Sequence, residues 1–587
     1  MNREEFEALT PEDQVKIFSE APLTEKSELI LLAHEPGRLT RGLSSEELYL
    51  MTREVDLDEK AEILRYASVD QLSFLADMDC WDRDQIEPGQ FVRWLGTLLA
   101  ADDAVLLRWI HKSDYETIIA GFQKFARVLK HEWETVVDDI VGDQPYFTLD
   151  RMYYILVEEE NLETVKRAIE ILYENDRPRY FALLEGVLGE MEYEMEEAAY
   201  RNREIRLTDR GFPDFETAMR AYTPLSREEF FKFPLKEKLK EDREQAPPQP
   251  RYPVIWNLSR LFLDDVLLAL AEEEAAVREG VYEEMAWLSN KIVVCNGMDF
   301  TSEEKVKNAV ERARALVSLG LEILSEGSVE QGLQIVKKRW LEAVFRFGFG
   351  VIAPLRQRVE WLLADYWKSD AEIFFTFLEA PYEFILRGLA QPFPLCYDET
   401  VTENVYHHRQ FRTRQDVQRA TLALEQMECL HGLLGRRVAG VFKRILRSSG
   451  LGGAEETLLA LCGNLWVHFV LSGKAKADRL TRLEVESFLK QGFEDRANGR
   501  FLKPDLKQKF MEEWMTADER NLLMPLWGIV FQRIQEQMSR LDPEKNMETH
   551  LLTCVSVKPD SLEEGVKPKK KPVRTGKVKK RARFRRA

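Results

Sequence analysis

The chain has 587 residues, of which 32% are charged, 44% apolar and 10% aromatic. Apolar content at that level can bury a large core, which excludes wholesale disorder, and the length allows about four ordinary domains or one long repeat array. The net charge of −19 is segregated: twelve of the 83 basic residues and none of the 102 acidic ones lie in 567–587, which leaves 71 basic residues on 1–566. An acidic body disfavours non-specific contact with phosphate backbones, so the basic tail is a separate device.

The chain opens Met1-Asn2-Arg3-Glu4-Glu5-Phe6, without the apolar run of a secretory signal. Repeated helix starts follow. Leu9-Thr10-Pro11-Glu12-Asp13 has Thr as N-cap, Pro at the first helical position and acids in the first turn. Leu43-Ser44-Ser45-Glu46-Glu47 and Leu57-Asp58-Glu59-Lys60 repeat that logic, and Ser68-Val69-Asp70-Gln71 is a weaker copy. Leu48, Met51 and Val55 follow the second start at helical spacing, and Ile63, Leu64 and Ala67 follow the third. Helices so short must stack on neighbours, which predicts a small helical array of irregular period.

From 91 to 140 the helices lengthen, with Val92, Leu95, Leu98 and Leu99 on one face. Residues 146–157 are aromatic and β-branched, with a turn candidate at Asp150, and fit either a hairpin or a helix. Helix returns over 162–203 and ends in the acidic stretch 185–197. The Pro-rich run 246–250, with Pro253 beyond, is the clearest linker. Helices are expected over 258–286, after the capping box Thr301-Ser302-Glu303-Glu304, over 329–347 and over 522–541, with breaks at Pro354, Pro381 and Pro392–Pro394. Gly450-Leu451-Gly452-Gly453 makes a turn. Next, 457–473 carries no formal charge but includes Asn464 and His468, so it reads as a buried core helix and not as a membrane span. Cys80, Cys295, Cys396, Cys429, Cys462 and Cys554 lie at least 33 residues apart, which gives no metal-type pairing and fits a reducing cytosol.

The segments 211–226 (GFPDFETAMRAYTPLS), 288–301 (LSNKIVVCNGMDFT) and 310–325 (VERARALVSLGLEILS) resemble a bacterial family filed only as a domain of unknown function. The likeness covers most of 1–545 and implies no activity, cofactor or catalytic residue. Separately, the short capped helices of 8–86 resemble, in helix style, the N-terminal domain of MgtE-type magnesium transporters.

Asp77, Asp79, Asp82 and Asp84 suggest a hard cation, but as an EF-hand loop they put Asp82 where Gly is needed and Pro88 where Glu is needed. Helix capping and a solvated turn are the plainer account. Glu190, Glu192, Glu194, Glu196 and Glu197 form an acidic helix face; a di-metal bundle would need a second Glu-x-x-His beside Glu428-Cys429-Leu430-His431. Glu403 and His407 share a helix face, but Arg409, Arg412 and Arg414 nearby oppose a cation. Over 408–447, nine cations face Asp416, Glu425 and Glu428, a balance of +6 that reads either as an anion surface or as pairing with the acidic body. Gly348-Phe349-Gly350-Val351-Ile352-Ala353 matches a dinucleotide fingerprint but follows no strand, and neither a P-loop nor a hydrolase motif occurs.

The tail is the strongest local signal. Lys567, Lys569, Lys570, Lys571, Arg574, Lys577, Lys579, Lys580, Arg581, Arg583, Arg585 and Arg586 cannot fold alone and will seek a polyanion, with Phe584 able to stack on a base. The sequence therefore predicts a mainly all-α, multi-segment helical array, with at most a small β element near 146–157 and a disordered basic C-terminal tail. The expected segments are a short-helix array (1–140), an acidic helical segment (141–245), a linker (246–253), a helical domain (254–400), a helical domain with a basic surface (401–545) and the tail (546–587). The expected function is a cytoplasmic, non-catalytic interaction or scaffold protein with protein partners, no cofactor and no integral membrane segment. Its rivals are a nucleic-acid-associated protein using the tail and the Arg409–Arg447 surface, with Arg409, Arg412 and Arg414 as the polyanion-binding candidates there, and an enzyme whose site is assembled from distant residues.

Overall fold

The start signals of the N-terminal array are realised as caps. The Thr10 hydroxyl accepts the Asp13 N–H at 3.3 Å, ahead of Pro11–Glu20. Ser44 with Glu47, and Ser68 with Gln71, form reciprocal capping boxes on Ser45–Arg53 and Val69–Asp79. The third start moves. Asp56, not Asp58, is the cap, and it accepts the Glu59 N–H at 2.9 Å. A carboxylate placed three residues before a free N–H is well positioned to satisfy it. Leu48, Met51, Ile63, Leu64 and Ala67 are all buried, so each short helix is held by its neighbours.

The computed structural model describes residues 6, 9–21, 23–131, 144–236, 260–297, 303–366, 371–400, 407–448, 457–496, 499–541 and 552–558. Helix covers 72% of them. Contacts divide the chain into two compact units. One comprises Met1–Arg356, Phe393–Val401 and His407–Gln418; the other comprises Gln357–Pro392, Thr402–Tyr406 and Arg419–Ala587. The division follows contacts, whereas the six expected segments follow composition. The linker 246–253, the turn at 450–453, Thr301, Ser302, Glu403 and the basic residues of 567–587 lie outside the described residues.

In the first unit, the 146–157 ambiguity resolves to strand. Tyr153–Val157 pairs antiparallel with Ala126–Lys130 on one side and with Tyr146–Phe147 on the other. Asp150 makes the turn: one carboxylate oxygen accepts the N–H groups of Met152 (2.8 Å) and Tyr153 (2.9 Å). The strand Ala126–Lys130 lies where lengthening helices were expected. Buried Ala126 and Val128 flank exposed Arg127, a period of two that suits a sheet with one covered face, and the strand ends at exposed Lys130. Among the described residues this is the largest sheet, with three strands.

The GxGxxA segment lies inside the helix Leu341–Tyr366. Its glycines admit neighbouring backbone. A Cβ on Gly348 would stand 2.2 Å from the Leu316 carbonyl oxygen, and one on Gly320 would stand 2.5 Å from that of Val344. The helices Glu303–Leu324 and Leu341–Tyr366 therefore touch backbone to backbone. Pro354, expected as a break, also lies within this helix. Ile352, Leu355, Val359 and Leu362 are buried around it, and their packing outweighs the roughly 3 kcal/mol a helical proline costs.

In the second unit, Leu458–Ser472 is the expected buried helix, with Leu458 through Phe469 all buried. Its two polar residues are used. His468 Nε2 lies 3.1 Å from the Asp478 carbonyl, and Asn464 Oδ1 accepts the Ser556 N–H at 3.0 Å. Trp466, Phe510, Trp514 and Trp527 fill the core beside it, with Phe510 and Trp527 ring centroids 4.8 Å apart. No helix among the described residues is long and apolar enough to cross a membrane.

Overpacking against a backbone that cannot yield costs about 1–3 kcal/mol or more. Gly348→Ala should therefore lower stability in urea by at least about 2 kcal/mol. Gly280→Ala, whose Cβ would meet nothing within 4 Å, should be neutral or stabilising by up to about 1 kcal/mol. Equal effects would refute the close helix crossing.

Candidate functional site

The acidic motif around Asp77 is the first candidate, and its cations are arginines of the same chain. Arg203, Arg206 and Arg210 lie three and four residues apart, which sets them along one stripe of the helix Glu192–Asp209 and its C-cap. Arg206 bonds both oxygens of buried Asp77, at 2.9 and 2.6 Å, and also bonds Asp114. Arg203 is buried. It donates to the carbonyls of Asp77 (2.8 Å) and Arg83 (3.2 Å) and stacks over Trp81. Arg210 reaches Ser45 Oγ at 2.7 Å and the Asp70 carbonyl at 2.9 Å. Burial pushes the Asp77 carboxyl up, against the pull of Arg206 and Arg203. Asp79 is likewise engaged, by Tyr49, Arg53 and Lys60. The expected solvated turn holds for exposed Asp82 and Asp84 and is corrected for Asp77 and Asp79. Apolar periodicity overlooked this row because the contacts are polar.

The acidic face also has its counter-ion. Lys124 Nζ lies 2.9 Å from both Glu192 and Glu196, which relieves their i,i+4 repulsion. Glu196 also accepts the Ile86 N–H at 2.9 Å. Glu428 is held by Arg358 through two 2.8 Å bonds, and His431 stacks edge-on to Trp361. No group of three metal-ligating side chains occurs among the described residues.

Of the basic surface candidates, Arg409 bonds both oxygens of Asp416 at 2.9 and 2.8 Å and lies 3.4 Å from Asp398. Arg412 bonds Glu311. The backbone N–H of Arg414 donates to Glu322 at 2.9 Å, while its side chain is exposed. Burial pushes the Asp416 carboxyl up. The Arg409 guanidinium and the N–H groups of Arg412 and Thr413 outweigh that and hold it below the usual carboxylate range. Arg409 and Arg412 thus spend their charge on acids of this chain. In the second unit, Arg436 pairs with Glu519.

The root of the basic tail is a folded strap. Residues 552–558 fall in the stretch from 546 expected to be disordered, yet Cys554 and Val555 are buried. Gly463 makes room for the strap, since a Cβ there would stand 2.0 Å from the Cys554 carbonyl oxygen. Gln537 Oε1 accepts the N–H groups of Thr553 (3.0 Å) and Cys554 (3.1 Å). Val557 forms a parallel bridge with Leu480, whose N–H donates to the Ser556 carbonyl at 2.9 Å and whose carbonyl accepts the Lys558 N–H at 2.8 Å. Composition misses such a segment because backbone pairing holds it.

A groove in the first unit, of about 340 Å³, is lined by Ile110, Tyr115, Ile119, Leu172, Pro178 and Leu183, with Asp176 and Arg179 also on its wall. Asp176 caps Arg177–Gly189 through the Arg179 N–H (3.1 Å) and lies 3.0 Å from His111 Nε2.

Removing one partner of a buried pair costs about 3–5 kcal/mol, whereas replacing both by apolar groups is often near neutral. Arg206→Met should lose about that much in chemical denaturation, and Asp77→Leu with Arg206→Met should lose less than Arg206→Met alone. An additive double variant would show that the two side chains do not interact. Truncation after Lys558 should leave stability unchanged. Truncation after 545 removes the buried Cys554 and Val555 and should cost about 3 kcal/mol or more; equal stabilities would contradict the strap.

No curated protein and no solved structure matches the chain. One family model does, over residues 3–558, so its match includes the strap, and 567–587 lie beyond the matched residues. The chain belongs to the Family of unknown function (DUF6178).

Proposed function

We propose that this protein is a non-catalytic helical interaction protein that holds nucleic acid through its basic C-terminal segment. The single observation that carries this reading is the strap. Residues 552–558 are pinned by Gly463, Asn464, Gln537 and Leu480, shortly before a segment with twelve cations and no acid. A polyelectrolyte arm with a fixed root delivers its charge at a defined place on a folded platform. The occupied guanidiniums of Arg409 and Arg412 leave the arm as the better supported cationic element.

Binding by such an arm is electrostatic. Lys567, Lys569, Lys570, Lys571, Arg574, Lys577, Lys579, Lys580, Arg581, Arg583, Arg585 and Arg586 would contact phosphates and release counter-ions, without reading bases. A second reading, a protein partner that inserts an apolar side chain, is favoured by the groove beside Ile119 and Leu183.

Each phosphate neutralised on duplex DNA contributes about −0.9 to the slope of log K against log salt. Engagement of half of the arm's cations gives a slope of roughly −5. Deletion of 567–587 should remove most of that slope and leave the body folded. Unchanged affinity and slope after the deletion would show that the arm is not the binding element. Full-length protein without affinity at low salt would reject nucleic acid as the partner.

A further inference from the structure

The strap does more than fix the root of the arm. Its register with Leu480 sets Lys558 beside the loop that leaves the helix Leu458–Ser472. That loop starts at Gly473, whose φ of +69° turns the chain out of the helix. It then reads Lys474-Ala475-Lys476-Ala477-Asp478-Arg479. Ala477 is buried, while Lys474 and Lys476 are exposed and make no ion pair among the described residues. Both lysine side chains are therefore open to solvent.

The loop is held at both ends. Ser472 Oγ reaches the carbonyls of His468 (2.8 Å) and Lys474 (3.4 Å). His468 Nε2 lies 3.1 Å from the Asp478 carbonyl. The nearby acids are partly committed. Glu484 accepts from the Thr481 N–H (2.7 Å) and hydroxyl (2.9 Å) in the capping box of Arg482–Gln491, and it also faces His468 and Lys558. Glu486 pairs with Arg482 at 3.3 Å. Asp478 is exposed and is the one acid within the loop.

We infer that Lys474 and Lys476, with Lys558, form a folded phosphate-binding platform, separated in sequence from the basic arm by Asp560, Glu563 and Glu564. This rests on the nucleic-acid reading above and extends it onto described residues. Cations on a loop whose backbone is already pinned lose less backbone freedom on binding, so their contacts are made at lower entropic cost. The platform fixes where the polyanion enters, and the arm then follows its backbone.

The test uses the full chain and a short duplex DNA, with affinity measured across a salt series by fluorescence anisotropy. Lys474→Gln with Lys476→Gln should make the log–log slope less steep by roughly 1.8, two phosphate contacts at about 0.9 each. Lys16→Gln with Lys112→Gln, at two other exposed lysines, should leave it unchanged. Both variants should keep the wild-type circular dichroism. A wild-type slope in the loop variant, with the arm still binding, overturns the platform and leaves the arm reading standing. Equal loss in the two variants overturns it as well, because the effect is then net charge alone. A full chain without salt-dependent DNA binding removes both readings. Vesicles containing phosphatidylserine serve as the last arm: if the loop variant loses affinity for them and not for DNA, the lysines belong to a lipid surface and the proposal fails.

Discussion

The Arg206 guanidinium, bonded at once to Asp77 and Asp114, is the contact on which the first unit depends. The helix Glu192–Asp209 has little apolar surface; its buried residues are Ala199, Arg203 and Leu207. A helix so polar cannot dock by hydrophobic burial. It docks by placing three guanidiniums onto the N-terminal array: on the carboxylates of Asp77 and Asp114, the carbonyls of Asp70, Asp77 and Arg83, and the Ser45 hydroxyl. Such pairs add little net stability over apolar residues of equal size. They do penalise any other register, because a shifted helix would leave Asp77 buried without a partner.

The same matching recurs through the body. Lys124 bridges Glu192 and Glu196, Arg409 covers Asp416, and Arg358 covers Glu428. Acidic clusters that suggest metal sites, and a basic run that suggests an anion site, each find counter-ions elsewhere in the chain. The cationic segment 567–587 carries no acid of its own and follows the strap in sequence. That segregation is why polyanion binding is proposed for the segment and its root.

Much of the fold was legible because helix starts are local. Ser44 with Glu47, and Ser68 with Gln71, announce their caps within four residues. Asn464 and His468 marked 457–473 as a core helix, since polar groups in lipid would be costly. The strand Ala126–Lys130, Pro354 inside a helix and the strap depend on partners distant in sequence, and local pattern underdetermines them. The candidate interface divides in the same way. The arm is a composition signal. Lys474 and Lys476 look like ordinary loop lysines until the pairing of Leu480 with Val557 joins the end of their loop to the strap.

The most direct measurement of the central claim is photo-crosslinking of the full chain to duplex nucleic acid, followed by peptide mass spectrometry. The account predicts crosslinks in 567–587 and at 474–476, with Arg409 and Arg412 unmodified because their guanidiniums are occupied. Crosslinks concentrated at Arg409 and Arg412, with 567–587 untouched, would contradict it.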